Sequence, residues 1–443
     1  MSQFRSPRAL LARLRTEFSH LTLGGRWAAQ LPRPEQRNLR AFFFDGVFSA
    51  ASDAIFLTYQ TLYVLALGAT NAQIGLMSAL SSLSATVLLM PGAMWADRSK
   101  RRKPLVLWAG GGVARLMILL LAVLPFLFKG AAAVYVAIAL NVIMAGAGNL
   151  AYSAWVSLTA DIVPLSWRGR FFGTRNMMMG VVTIAMTLLA GQLITGMGSI
   201  SGYQVAFLVA FLIGMASTYS YAQIKEPEKS SQPHEAQVYS LSALLASLRS
   251  DRSFLAFCLY AMIWNFSLNI AGPFFNVYLV KDLGATAFMV GFLSIVSSIS
   301  GLPAQRLFGQ LNDRLGPRKV ILLTGSIIPI VPLAWYFITA TWHVIPINIV
   351  SGFLWAGYSL AMFNLLLAIA PEEQRARYSA MFQISVAISL ALGASVGGLI
   401  SNRWGIPLVF VISAIGRAVG AGFFARFVKP HDSAHQLPEV SQA

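Results

Sequence analysis

The sequence predicts an all-α membrane protein built from two six-helix bundles. Three observations predict it. Of 443 residues, 56% are apolar and only 11% charged, more apolar side chain than one water-soluble core could hide. Twelve apolar runs reach the roughly 20 residues needed to cross a hydrocarbon core. The last six of these runs repeat features of the first six at near-constant spacing.

Taken in order, residues 1–40 carry Arg5, Arg8, Arg13, Arg15, Arg26, Arg33, Arg37 and Arg40, with Leu10, Leu11, Leu14 and Phe18 at helical spacing. This reads as a basic amphipathic segment on the inner membrane surface, or equally as a basic tail whose charge only sets topology. No apolar stretch with a small-residue cleavage site follows it, so no cleaved signal peptide is expected. Residues 41–224 form the first bundle, with spans at 42–67, 72–96, 105–128, 131–160, 173–196 and 202–224. Residues 225–253, the polar KEPEKSSQPHEAQ and then the amphipathic YSLSALLASLRS, read as a linker with an interfacial helix. Residues 254–428 form the second bundle, with spans at 254–280, 286–309, 320–340, 344–370, 379–401 and 406–428, before a tail at 429–443.

Charge sets the orientation. With the N-terminus inside, 27 of the 33 Lys and Arg residues fall in inner segments; only Lys129, Lys281 and Arg403 fall outside, and Arg115, Arg306 and Arg417 lie within spans. The positive-inside rule therefore predicts a multi-pass protein of the plasma (inner) membrane with both termini cytoplasmic. The net charge of +17 is then a matter of topology, and no nucleic-acid partner is expected. A single cysteine, Cys258, allows no intramolecular disulfide, the five histidines have no metal-ligand spacing, and no phosphate-binding loop occurs. Neither a metal nor a cofactor is expected.

The repeat is legible residue by residue. Gly68-Ala69-Thr70, Gly75, Ser78, Ser81, Ser82 and Ser84 recur as Gly284-Ala285-Thr286, Gly291, Ser294, Ser297, Ser298 and Ser300, eight identities in 17 positions at an offset of 216. At the same offset, AMWADRSKRRK (93–103), with Asp97, Arg98, Arg102 and Lys103, matches GQLNDRLGPRK (309–319), with Gly309, Asp313, Arg314, Gly316, Arg318 and Lys319. Further on, Pro164, Arg168 and Arg170 match Pro371, Arg375 and Arg377 at an offset of 207.

Twelve spans in two halves, a long central loop and an Asp-Arg-x-Gly-x-Arg-Lys loop after the second span of each half resemble the major facilitator superfamily. The resemblance covers about residues 40–428. It implies alternating access, with Asp97, Arg98 and Arg102 and, in the better-preserved copy, Gly309, Asp313, Arg314, Gly316 and Arg318 forming gating latches. Arg168, Arg170, Arg375 and Arg377 then share a topological and latching role. Topology charge with simple stapling of each hairpin explains the same residues. The first copy departs from the pattern at Ala93 and Lys100, where glycines belong. The arginine expected of drug antiporters in the fourth span is missing, with Asn141 nearby. The Gly-Pro-x-x-Gly-Gly antiporter motif is absent from the fifth span; a similar run, Gly393 to Gly398, lies in the eleventh. Drug/proton antiport is thus one option among several.

Of the 16 acidic residues only Asp45 and Asp53 fall inside predicted spans, and Asp45 is within a turn of the inner surface. At 1.5 Å per residue, Asp53 lies roughly 16 Å deep and Arg115 about 15 Å deep. An ionised carboxylate there is costly unless paired, which makes Asp53 and Arg115 the candidate proton-coupling or substrate site, or a structural ion pair. At the 216 offset Asp53 matches Asn269 and Ser49 matches Asn265. The resemblance turns the first and seventh spans toward a cavity, so Asn265 and Asn269, with Tyr59, Asn149, Trp155 and Asn364, are candidate cavity-lining residues; interhelical hydrogen bonds would account for them equally. Arg306 is expected to snorkel and Arg417 to pack against a neighbouring helix.

The expected function is secondary active transport of a small organic solute by alternating access, coupled to protons through Asp53, by a monomer in a lipid bilayer. Facilitated uniport and sodium coupling are the alternatives. A transport-dead sensor and a membrane-embedded enzyme are rivals from other classes, the latter lacking any His/Asp/Ser cluster at one membrane depth.

Overall fold

The computed structural model describes residues 21–23, 25–99, 101–198, 200–226, 252–369 and 375–428. Among these, 12 helices are long and apolar enough to cross a membrane. They are α1 (Arg33–Ala66), α2 (Asn71–Arg98), α3 (Lys103–Leu127), α4 (Gly130–Ile162), α5 (Arg168–Met197) and α6 (Ile200–Ala222), followed by α7 (Arg252–Lys281), α8 (Ala287–Leu315), α9 (Pro317–Tyr336), α10 (Val344–Ile369), α11 (Arg375–Trp404) and α12 (Ile406–Phe427). Each covers most of one of the apolar runs. Large apolar side chains such as Phe126, Tyr219 and Phe337 point outward, as a lipid-facing surface requires.

Two observations bear on the boundaries expected from sequence. Helix α1 begins at Arg33, within the basic segment expected to run to residue 40. The helix can start there because Pro34 lies in its first turn, where a missing N–H costs nothing, and because Asn38 is tied to the end of α6. Asn38 Nδ2 donates to the Lys225 carbonyl and the Lys225 N–H donates back to Asn38 Oδ1, both at 2.8 Å. Ahead of α1, Trp27 stacks on Trp167 with ring centroids 5.0 Å apart. The segment 1–20, residues 227–251 with the expected interfacial helix, and the tail 429–443 lie outside the described residues.

By contact the chain forms two compact units, one of Met1–Gly68 with Val87–Ala236 and the other of Ala69–Thr86 with Gln237–Ala443. The first half of α2 therefore groups with the second unit, where Ala79 packs against Ala391 and Ala394 of α11. The expected bundle of residues 41–224 assigned the whole helix to the first half.

In the first unit α1 is pinned on several sides. Tyr59 Oη donates to the Thr187 carbonyl of α5 and Tyr63 Oη to the Leu121 carbonyl of α3, both at 2.7 Å, while Ser52 Oγ donates to Ala210 O of α6 at 2.8 Å. These bonds satisfy hydroxyls that lipid could not. In α3 the stretch Val106–Val113, which includes Gly110, Gly111 and Gly112, winds as a π-helix and re-aims the residues that follow it.

In the second unit the core is aromatic. Trp264 stacks on Tyr358 with centroids 4.9 Å apart, and Tyr260 and Tyr358 share a 2.8 Å hydroxyl bond. α7 breaks between Ala271 and Phe274, at Gly272-Pro273, because Pro273 has no N–H to continue the ladder. At the α8–α9 corner Gly316 adopts φ +79°, which L side chains rarely take, and Pro317 opens α9.

Glycine also sets how closely helices approach. A Cβ at Gly352 of α10 would overlap the Ser297 carbonyl of α8, whereas one at Gly422 of α12 would meet nothing within 4 Å. Gly352→Ala is therefore expected to destabilise the purified protein by about 1–3 kcal/mol. Gly422→Ala should be neutral or stabilising by up to about 1 kcal/mol. Thermal unfolding of the two variants in detergent checks the contrast.

Candidate functional site

Asp45, Ser49 and Asp53 recur every four residues on α1, forming a polar stripe on one face of an apolar helix. The stripe faces a cavity of about 490 Å³ within the first unit, walled by α1, α3, α4, α5 and α6. Phe56, Met144, Tyr152 and Trp155 supply much of the apolar wall.

Two acid–base pairs sit on this cavity. Arg115, two residues beyond the π-helical stretch of α3, reaches Asp53: its Nη1 lies 2.8 Å from Asp53 Oδ1. The same guanidinium donates to Ser52 Oγ at 3.0 Å and to Ser49 Oγ at 2.9 Å, while Ser49 Oγ donates to Asp53 Oδ2 at 3.1 Å. The pair is asymmetric in exposure: the Asp53 side chain is 45% accessible and Arg115 only 12%. The carboxylate thus faces the cavity with the cation behind it. Gly214 of α6 makes the room, since a Cβ there would lie 2.8 Å from Arg115 Cδ.

The second pair was missed at the level of sequence. Arg175 of α5 lies 3.8 Å from Asp45 Oδ2, donates to the Phe42 carbonyl at 3.1 Å and sits 4.3 Å over the Phe42 ring. Ser217 Oγ of α6 donates to Asp45 Oδ1 at 2.7 Å. Asp45 and Arg175 lie near the inner ends of the apolar runs at 42 and 173, where sequence alone suggests a position close to the surface. The helices begin at Arg33 and Arg168, and both side chains are buried. The four-residue spacing of Asp45, Ser49 and Asp53 was the available signal.

The other candidates separate into two groups. Asn149 and Trp155 line the first-unit cavity, and Asn269 lines a cavity of about 380 Å³ in the second unit, donating to the Leu390 carbonyl at 2.6 Å. Tyr59 is fully buried in its bond to α5, and Asn265 donates to the Ala261 carbonyl of its own helix. Asn364 is half-buried and, like those two, lines neither cavity. Arg306 is exposed, as snorkelling requires.

Each clasp loop is bonded within its own unit. In the first unit Arg102 is 3% exposed; its Nη2 lies 2.5 Å from Asp161 and its Nη1 2.7 Å from Ser157 Oγ. Its backbone N–H donates to Glu226 at 2.7 Å, and Lys103 Nζ donates to the Ala222 and Ile224 carbonyls at the end of α6. In the second unit Arg318 makes the same kind of bond, donating to the Ala425 and Val428 carbonyls at the end of α12. Each loop thus ties the start of the third helix of its set to the carbonyl end of the sixth, where a cation also complements the helix dipole. Asp313 and Arg314 are exposed, as is Arg98, and Gly309 has open space around it. Arg168 caps α4 through the Ala160 and Val163 carbonyls, and Arg170 lies 4.8 Å over the Trp167 ring. The side chains of Asp97, Arg375 and Arg377 lie outside the described residues.

A polytopic helical membrane protein whose buried acid–base pairs face a cavity has the build of a solute transporter rather than of a receptor anchor or a lipid-facing scaffold. Comparison with known proteins gives the family. The sequence profile of the Major Facilitator Superfamily matches residues 42–276 and 265–442. The chain is 23% identical to the multidrug resistance protein MdtG of Serratia proteamaculans over 395 residues, 86% of this chain and 91% of that protein. It is equally similar to MdtG of Salmonella paratyphi C, over 87% and 94% of the two chains. Its fold is that of the nucleoside transporter NupG (TM-score 0.68, 15% identity, 88% of this chain and 100% of that one). It is likewise that of a bacterial homologue of the iron transporter ferroportin (TM-score 0.68, 15% identity, 90% and 99%).

The chain belongs to the Major Facilitator Superfamily. It is an integral, multi-pass membrane protein and a secondary transporter of small solutes.

Proposed function

We propose that this transporter is a proton-coupled antiporter of amphiphilic organic cations, with Asp53 as the shared binding group for proton and substrate. The observation that carries the proposal is the asymmetry of the Asp53–Arg115 pair: the half-exposed carboxylate faces an apolar, aromatic cavity and the guanidinium lies behind it. A cation entering the cavity meets the acid first, and the aromatic faces of Tyr152 and Trp155 suit an organic cation. When the carboxylate takes a proton, Arg115 keeps its hydrogen bonds to Ser49 and Ser52 and holds the local charge positive, which disfavours a bound cation. Proton and substrate thereby exclude each other, as antiport requires. The MdtG relatives are named multidrug resistance proteins, which supports an organic drug-like substrate.

In the same reading the protein works as a monomer in the inner membrane with both termini cytoplasmic, carries out no chemistry on its substrate, and has bundle boundaries near residues 41–224 and 254–428. The clasp loops at Arg102 and Arg318 act as rigid ties within each set of six helices, so that each moves as a body during alternating access.

The test is flux in proteoliposomes with ethidium as the probe cation. A pH gradient should drive ethidium against its concentration gradient and a sodium gradient should not. Equal flux with and without the pH gradient would make the protein a uniporter, and sodium-driven flux would replace the coupling ion.

A further inference from the structure

α12 carries a buried cation, Arg417, that has no ion-pair partner among the described residues. Three arginines are buried among the described residues. Arg102 lies against Asp161 and Glu226, and Arg175 against Asp45. Arg417 is 2% exposed, and its Nε has no hydrogen-bond acceptor. A guanidinium does not give up its charge in a protein, and an unpaired charge away from water is among the costliest features a membrane helix can hold. Burying this residue makes physical sense if something else brings the anion.

Neighbouring contacts prevent α12 from rotating Arg417 out toward lipid. Ser413 Oγ donates to the Ser267 carbonyl of α7 at 2.6 Å. A Cβ at Gly416 would overlap the Ser267 side chain, so the two helices touch one residue before Arg417. One turn on, Gly420 lies against Trp264. The arginine is therefore held toward the cavity of about 380 Å³ in the second unit.

That cavity has the chemistry of an anion site. Its polar lining is Arg417, Asn269, Asn276, Asn348, Ser294 and Ser351, and no Asp, Glu or His is among the described residues that line it. Asn269 and Asn348 spend an amide hydrogen each on backbone carbonyls, at Leu390 and Leu293. Asn276 and Ser351 are left as neutral donors beside the guanidinium. The planar fork of an arginine matches a carboxylate through two parallel bonds, and Trp335 and Trp355 offer flat apolar walls to whatever the carboxylate is attached to.

We infer that the second unit holds a binding site for a small organic monocarboxylate, with Arg417 as the group that receives the carboxylate and Asn276 beside it. This goes beyond the proton–cation reading of the first-unit cavity and does not depend on it, because binding here can be read without any gradient or transport. It also departs from the sequence expectation that Arg417 only packs against a neighbour.

The experiment uses the full-length protein in detergent, titrated with sodium benzoate or sodium chloride at constant ionic strength balanced with sodium sulfate. Tryptophan fluorescence, to which Trp335 and Trp355 contribute among the ten tryptophans, is compared between wild type and variants, and thermal unfolding gives a second readout. Wild type should show a saturable benzoate signal with a rise in melting temperature, and chloride should produce neither. Arg417→Lys, which keeps the charge and loses the fork, should weaken benzoate binding about tenfold or more. Asn276→Asp, which sets a carboxylate in the cavity, should abolish binding while the protein still melts cooperatively, so a folding defect at Arg417 cannot obscure the result. No saturable signal in wild type, equal saturation by chloride, or unchanged benzoate affinity in either variant would overturn the inference.

Discussion

Asp53→Asn should abolish accumulation of ethidium driven by a pH gradient in proteoliposomes while leaving downhill ethidium equilibration measurable. The asparagine keeps the size; its one carbonyl oxygen can accept from Arg115 while its amide N–H donates to Ser49 Oγ, so the hydrogen-bonded cluster on α1 is kept although the negative charge is lost. What it removes is the proton site and the negative charge that an organic cation meets on entering the cavity. A loss of transition from proton-bound to cation-bound protein stops coupled exchange altogether, so the driven rate is expected to fall to background and not merely by a few-fold. Gradient-driven accumulation at the wild-type rate in this variant would remove Asp53 from the coupling site.

The second large effect is on stability. Arg102→Met should lower the stability of the purified protein by about 3 kcal/mol, because it leaves Glu226 and Asp161 without the buried cation they share. The value is at the low end of what breaking a buried pair costs, since Asp161 is 41% exposed and water can recover part of its solvation. Thermal unfolding in detergent reads this as a drop of several degrees. Adding Glu226→Gln to Arg102→Met should restore part of the loss, because the second change removes the stranded charge. A melting temperature within about one degree of wild type would reduce the loop to a topology signal.

The fold was legible in the sequence because a membrane imposes it. A span must be long, apolar and bounded by charge, and each of the 12 helices covers most of a run read from composition alone. What composition could not mark was where helices continue beyond the apolar run. α1 and α5 start nine and five residues before the runs at 42 and 173, so Asp45 and Arg175 sit well inside their helices, where both are buried. Counting from the same face puts Asp53 and Arg115 at one level, and their side chains do meet, at 2.8 Å, although Val106–Val113 of α3 winds as a π-helix within the counted stretch. It could not foresee the π-helical stretch ahead of Arg115, in which Gly111 lies against Thr218 of α6.

The clasp loops teach a different lesson. Their residue identities announced a repeat, yet the partners of Arg102 lie 59 and 124 positions away, at Asp161 and Glu226, and neither stands out in the sequence. The two copies also share work differently: Lys103 caps α6 in the first, whereas Arg318, the counterpart of Arg102, caps α12 in the second. Pattern located the loops, but only tertiary contact assigned each side chain its acceptor. The same holds for the cavity candidates. Tyr59 and Asn265 sit on the right helices, but their angular position turns them to backbone carbonyls and away from either cavity.

The most direct test of the central claim is proton release on substrate binding, measured by adding ethidium to the purified protein in unbuffered detergent solution with a pH-indicator dye. If proton and organic cation compete for Asp53, wild type releases about one proton per ethidium bound at a pH where the site is protonated, and Asp53→Asn binds ethidium weakly with no release. Tight ethidium binding without proton release in wild type, or an undiminished release in Asp53→Asn, would contradict the account.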